Sequence, residues 1–277
     1  MQVSVSKVWG TVLEIVKARL GSLVGLWLVY FAIQMFVSVV AFMFIGASVS
    51  VAALEGDPNA LGAMGLGMLL FMAIIYLGYV YIASAQSAAM SRMASPLVQT
   101  SFGDAFSSGF ANGLTLLGTT VLLLLGYLVG LLVLGMVGEG VAMAGVIAQG
   151  VWSIALAAVL VYLACRLIIL PPVVAVEGVR NPITAIVRSW QLTRGKVLGI
   201  FLSLLVYIAI AIVAVGVPIA MFFGTIMGLS QGDVGPAIGA IFGMVVIFAV
   251  LAVLLAVLGS TFGAVVHSEL VGSETAE

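Results

Sequence analysis

Six long apolar runs alternate with short polar stretches along the chain. They cover 23–45, 64–84, 114–137, 146–170, 197–223 and 238–258, the last extending toward 266. No Asp, Glu, Lys or Arg lies in the middle of any run. A helix needs roughly 20 residues to cross the hydrocarbon core, whereas the apolar core of a signal peptide is roughly 7–15 residues long. The first run, interrupted only by Gln34 and Ser38, therefore reads as a retained first span. Barrel strands alternate apolar with polar residues, and these runs are apolar on all sides. The pattern predicts an all-α, polytopic membrane protein with six transmembrane helices.

Helical periodicity of a second kind precedes each odd-numbered run. Val8, Trp9, Val12, Leu13, Val16 and Leu20 alternate with Lys7, Gly10, Thr11, Glu14, Lys17 and Ala18. Ile183, Ile186, Val187 and Trp190 follow i, i+3, i+4, i+7, with Arg188 and Gln191 on another face. The middle segment is weaker, setting Phe102, Ala105, Phe106 and Phe110 against Asp104, Ser107, Ser108 and Asn112. Ser95-Pro96 and Asn181-Pro182 each place a capping side chain before a proline, and Ser101 with Asp104 offers an alternative start. The 277 residues thus read as one membrane domain of three parallel repeats, about 4–94, 95–180 and 181–270. Each repeat is an interfacial amphipathic helix followed by two spans, with Trp9 and Trp190 as interfacial anchors.

Composition agrees. The chain is 64% hydrophobic and 7% charged, against about 25% charged in a soluble domain. A net charge of −1 gives no basic field for nucleic acid.

Charge placement sets an orientation. Lys7, Lys17, Arg19, Arg92, Arg166, Arg180, Arg188, Arg194 and Lys196 all fall on one side of alternating spans. The loops of the other side carry only acids: Glu55, Asp57, Glu139 and Asp233. Basic loops face the cytoplasm, so both chain ends are expected there, in a cell (inner) membrane.

Glycine is abundant, at 33 residues. Gly126/Gly130, Gly224/Gly228, Gly239/Gly243 and Gly259/Gly263 form GxxxG pairs, which are expected to pack helices inside the bundle. Pro218 is expected to kink the fifth span.

Candidate chemistry is sparse. Intramembrane ionisable groups mark proton relays and ion paths, and the span centres contain none. There is no Walker loop, HExxH, GxSxG or Cys/His metal spacing, so neither an enzyme nor a cofactor is expected. The single cysteine, Cys165, reads as a small buried hydrophobe, and the single histidine, His267, as a cap on the last helix. The one dense cluster is Arg166, Glu177, Arg180, Arg188, Arg194 and Lys196, beside Pro171-Pro172, which should end the fourth helix. Its cations suit a lipid phosphate or a membrane-protein partner, but the plainer reading is a structural one, in which they fix the inner end of the spans and Glu177 pairs a nearby arginine.

The stretch RLIILPPVVAVEGVRNPITAIVRSWQLTRGKVLGIF, residues 166–201, resembles the membrane domain of the glycerophosphoryl diester phosphodiesterase family and its YciC-like relatives. Arg166, Pro171, Glu177, Ser189, Trp190, Leu192, Thr193 and Gly195 carry the resemblance. It implies a six-span inner-membrane module without the catalytic phosphodiesterase domain. The expectation for function is a non-enzymatic module that contacts anionic lipid headgroups, or a membrane partner, on the cytoplasmic side. The alternative is a transporter, channel or lipid-moving protein using a groove between repeats.

Overall fold

The computed structural model describes residues 4–55, 58–143, 145–229 and 234–274. Among them are eight helices and no strand: α1 (Val5–Glu55), α2 (Pro58–Ala94), α3 (Phe102–Ala142), α4 (Val146–Leu167), α5 (Leu170–Glu177), α6 (Pro182–Leu192), α7 (Val197–Leu229) and α8 (Val234–Glu274). Six stretches are long and apolar enough to cross a bilayer: Val5–Ala47, Gly67–Ala94, Phe102–Val141, Val146–Glu177, Val197–Phe223 and Phe242–Glu274. With no water in the hydrocarbon core, each satisfies its backbone groups internally, as only helices and closed barrels can. The chain is a multi-pass, all-α membrane protein. Asp57 and Asp233, two of the acids assigned to the second side, lie outside the described residues.

Successive spans are neighbours. α1 packs on α2, α2 on α3, α3 on α4, α4 on α7 and α7 on α8, and α8 returns to α1. α5 sits inside this circuit against α2, α3, α6 and α8. It follows α4 after a two-residue break, with Pro171 and Pro172 in its first turn, where a missing N–H costs nothing. The expected end of the fourth helix near the two prolines is therefore present at Leu167. Val173, Val174 and Ala175 are fully buried and make the middle of α5 a plug. α7 stays helical through Pro218.

The packed core lies toward one end of the bundle. Among the described residues, the buried side chains of α2 fall within 82–94, those of α3 within 105–119 and those of α8 within 257–270. Farther along, side chains such as Leu132, Met136, Ile154, Val213 and Phe242 are exposed, and in a bilayer their solvent is lipid.

The three amphipathic segments differ. Only α6 is a separate helix. The first and second run unbroken into their spans as parts of α1 and α3, and α3 starts at Phe102, capped by Ser101, not at Ser95-Pro96. The first turns Val8, Trp9 and Val12 to protein and leaves Leu13 and Leu20 exposed. Val8 and Val12 are fully buried, and Trp9 stacks on Phe262 of α8 and donates its indole N–H to the Ser203 carbonyl of α7 at 3.1 Å. Trp9 is a core residue and not an interfacial anchor, because its one polar atom finds a partner only inside the bundle. Phe106 and Phe110 of the second segment likewise pack on Tyr30.

The tightest approach at a described glycine falls at Gly109, with Gly113 one turn on, outside the four GxxxG pairs named above. A Cβ on Gly109 would overlap the Tyr30 hydroxyl and reach the Ala85 carbonyl at 2.6 Å, and one on Gly113 would meet Tyr81 at 3.0 Å. Gly126 and Gly130 have open space instead, with no packing neighbour among the described residues. Gly259 and Gly263 do abut Tyr207 and the Ile168 carbonyl. The side chains of 224–241 lie outside the described ones.

Candidate functional site

The basic cluster lies around α5, α6, the α6–α7 turn and the last turns of α8. α6 exists because Asn181 accepts from the N–H groups of Ile183 and Thr184, and Pro182 supplies the first helical φ. Gly118 leaves room for the Pro182 ring, 2.9 Å from where a Cβ would stand, and Thr115 donates to the Arg180 carbonyl at 3.1 Å. α3 therefore holds the start of α6. Its end turns at Gly195, whose φ of 74° suits glycine.

Arg166 holds the other end. Its guanidinium donates to the Trp190 carbonyl at 2.8 Å, to the Thr193 hydroxyl at 3.2 Å and to the Tyr162 hydroxyl at 2.6 and 3.0 Å. It sits over the rings of Trp190 and Tyr162, 4.6 and 5.1 Å from their centres. Ser189 donates back to the Arg166 carbonyl at 2.5 Å. The side chain is buried and faces a helix C-terminus, where carbonyls and the macrodipole favour a cation. The same device recurs twice. Arg19 donates to the Met93 carbonyl in the last turn of α2 at 2.8 Å, and Arg92 to the Ala175 carbonyl in the last turns of α5 at 3.2 Å. Three arginines of three spans thus each tie down the carbonyl end of another helix.

Glu177 and Arg188 do meet. One Glu177 oxygen accepts from Arg188 at 2.9 Å and the other lies 2.8 Å from His267 Nε2. Arg188 also makes a two-point pair with Glu274 at 2.7 and 2.9 Å. The hydrogen bonds to Glu274 first, and then those to Glu177, raise the Arg188 pKa against the opposing effect of burial. His267 is a fully buried residue inside α8, which continues to Glu274, so it does not cap that helix. Cys165 is buried, as expected. Lys196 donates to the Ser273 hydroxyl at 2.5 Å.

The six candidate residues therefore separate. Arg166, Glu177 and Arg188 are engaged within the protein. Arg180 and Arg194 flank α6, and their side chains are exposed with no ion-pair partner among the described residues. Arg194 and Lys196 line an open cavity of about 190 Å³ together with Gln191 and Glu274. Among the described residues no group of three His, Cys, Asp or Glu side chains is placed to hold a metal ion.

Between those arginines α6 shows three faces. Ala185, Ser189 and Leu192 are buried against the bundle, while Thr184 and Gln191 form an exposed polar flank. Ile183, Val187 and Trp190 point away, 62%, 48% and 40% exposed, an outward apolar stripe at the end of a membrane bundle. Tyr162 and Glu274 are partners that sequence reasoning missed. Tyr162 was accessible to it, four residues before Arg166 on one helical face. Glu274 was not, because its pairing joins residues 86 apart.

No known family, no curated protein and no solved structure matches this chain.

Proposed function

We propose that this chain is a non-enzymatic membrane module whose α6 rests in the bilayer interface and whose flanking arginines receive anionic lipid phosphates. The observation that carries the reading is the outward stripe of Ile183, Val187 and Trp190, set between Arg180 and Arg194, which have no ion-pair partner among the described residues. An interfacial helix buries such a stripe among acyl chains while its cations meet headgroups, each adding about 1 kcal/mol near an anionic surface. Guanidinium groups suit phosphate because they donate in two-point fashion. The asymmetry of basic residues supports placing this end, with both termini, on the cytoplasmic side of a cell (inner) membrane. An alkaline phosphatase fused after Glu277 is then inactive.

We also propose membership of the YciC-like family of phosphodiesterase membrane domains, on the motif in 166–201. Its residues serve scaffolding here: Arg166, Ser189, Trp190 and Thr193 hold one another, and Gly195 makes the turn. That supports a module and not a catalytic site.

The test of lipid contact is native mass spectrometry of the purified protein. Arg180→Gln with Arg194→Gln should lower retained phosphatidylglycerol several-fold, whereas equal retention contradicts the reading. The alternative, a transporter, channel or lipid-moving protein, draws support from the open cavities beside α2 and meets an obstacle in the buried middle of α5. Lipid transfer between leaflets of reconstituted vesicles decides between them.

A further inference from the structure

Two cavities adjoin above α5. One, of about 490 Å³, lies between α2, α3 and the α4–α5 junction, and the other, of about 280 Å³, between α1, α2, α5 and α8. Both are lined by Ala83, Ser87 and Pro171, so they form two lobes of one cleft across the face of α2. Val173 and Val174 lie fully buried just beyond, closing it toward the basic end.

The lining states the chemistry of an occupant. No Asp, Glu, Lys, Arg or His contributes to either lobe, so a charged group would enter without a counter-charge. The larger lobe is mostly apolar, with Leu116, Leu123, Leu167 and Leu170 along it. Its Thr119 and Thr120 hydroxyls already donate to Thr115 and Leu116 carbonyls one turn back. Tyr76 and Tyr79 differ. They sit three residues apart on α2, line the open side of this lobe at 64% and 41% exposure, and have no hydrogen-bond partner among the described residues. Tyr76 is about 14 Å from Gly67 and about 27 Å from Ala94 along the helix, well inside the span. Phenol donors at that depth have no water to bond, and leaving them unmatched is costly.

We propose that this cleft binds one uncharged glycerolipid, with an acyl chain along the leucines and an ester or hydroxyl oxygen accepting from Tyr76 and Tyr79. The smaller lobe, with Gln86, Ser91 and Ser260, takes the rest of its polar part. Lipid is the solvent on every open side of these spans, so the occupant enters laterally. The site is independent of the headgroup contacts at Arg180 and Arg194.

The experiment titrates delipidated protein in detergent with dioleoylglycerol and counts bound lipid by native mass spectrometry. The wild-type chain binds one molecule. Ala83→Trp, which fills the wall shared by both lobes, weakens binding about ten-fold, and Tyr76→Phe with Tyr79→Phe weakens it by about the same, the worth of one to two hydrogen bonds. Phosphatidylglycerol retention stays at the wild-type level in both variants. The Arg180→Gln/Arg194→Gln pair leaves dioleoylglycerol binding unchanged, so failure of the headgroup reading and failure of this one appear in different variants. Should Ala83→Trp not fold, the double phenylalanine variant, which removes only two oxygens, carries the test. Absence of binding to the wild-type chain, or binding unaffected by the phenylalanine pair, overturns the proposal.

Discussion

The Arg166 guanidinium sits over the Trp190 ring at 4.6 Å and at the same time donates to the Trp190 carbonyl at 2.8 Å. One side chain thus grips both the face and the backbone of a residue in the last turn of α6. A lysine keeps the charge but has neither the planar fork nor the stacking surface. Arg166→Lys should lower the stability of the purified protein by about 2 kcal/mol, from charge-assisted hydrogen bonds and the cation–π contact together. A fall in the thermal unfolding midpoint in detergent checks this, and an unchanged midpoint contradicts the clamp.

Trp9 and Trp190 should behave oppositely toward lipid. Trp9 is 9% exposed and bonded to Ser203, whereas Trp190 is 40% exposed on the outward stripe. With the other tryptophans changed to Phe, brominated lipid should quench the fluorescence of Trp190 strongly and that of Trp9 weakly. Trp9→Phe, which loses the indole donor and leaves the Ser203 carbonyl without this partner, should cost about 1 kcal/mol of stability. Equal quenching of both would show that the first amphipathic segment also faces lipid.

At Gly109, α3 meets Tyr30 of α1 and Ala85 of α2. Gly109→Ala needs the Tyr30 side chain and the α2 backbone at Ala85 and Ala89 all to give way, a change of the overpacking kind that costs about 1–3 kcal/mol. Gly126→Ala meets nothing and should be neutral or up to about 1 kcal/mol stabilising. Thermal unfolding of the two variants side by side checks the contrast.

The spans were legible in the sequence because length and apolarity in a bilayer leave the backbone no alternative to helix. The Pro171-Pro172 break and the Asn181 cap were legible for equally local reasons. What the pattern did not show was which way an amphipathic face turns. The same periodicity sends Val8, Trp9 and Val12 into the bundle and Ile183, Val187 and Trp190 out of it, and only tertiary neighbours decide. The packing glycines were missed because Gly109 and Gly113 lie at the edge of the third run, in a stretch read as amphipathic linker. Of the basic cluster, the sequence gathered the right residues but could not separate Arg166, which reaches the Trp190 carbonyl 24 residues away and the Thr193 hydroxyl 27 away, from Arg194, whose side chain has no such partner among the described residues.

Glu177 should matter more than Glu274. Both accept from Arg188, but Glu177 is also the only hydrogen-bond partner of the fully buried His267 side chain among the described residues. Glu274 is half exposed and its ion pair is screened by salt. Glu177→Gln should therefore lower the unfolding midpoint more than Glu274→Gln, and the difference should persist at high ionic strength. The reverse order contradicts this assignment.

The measurement that reaches the central claim most directly is the depth of α6 in a bilayer. Single cysteines at Val187 and Thr184, in a Cys165→Ala background, place spin labels on the outward apolar stripe and on the polar flank of the same helix. In vesicles containing phosphatidylglycerol, the label at 187 should relax with oxygen and be shielded from a water-soluble nickel chelate, and the label at 184 should show the opposite. Equal nickel accessibility at both positions would mean that α6 stands in water, away from lipid, and would contradict the account.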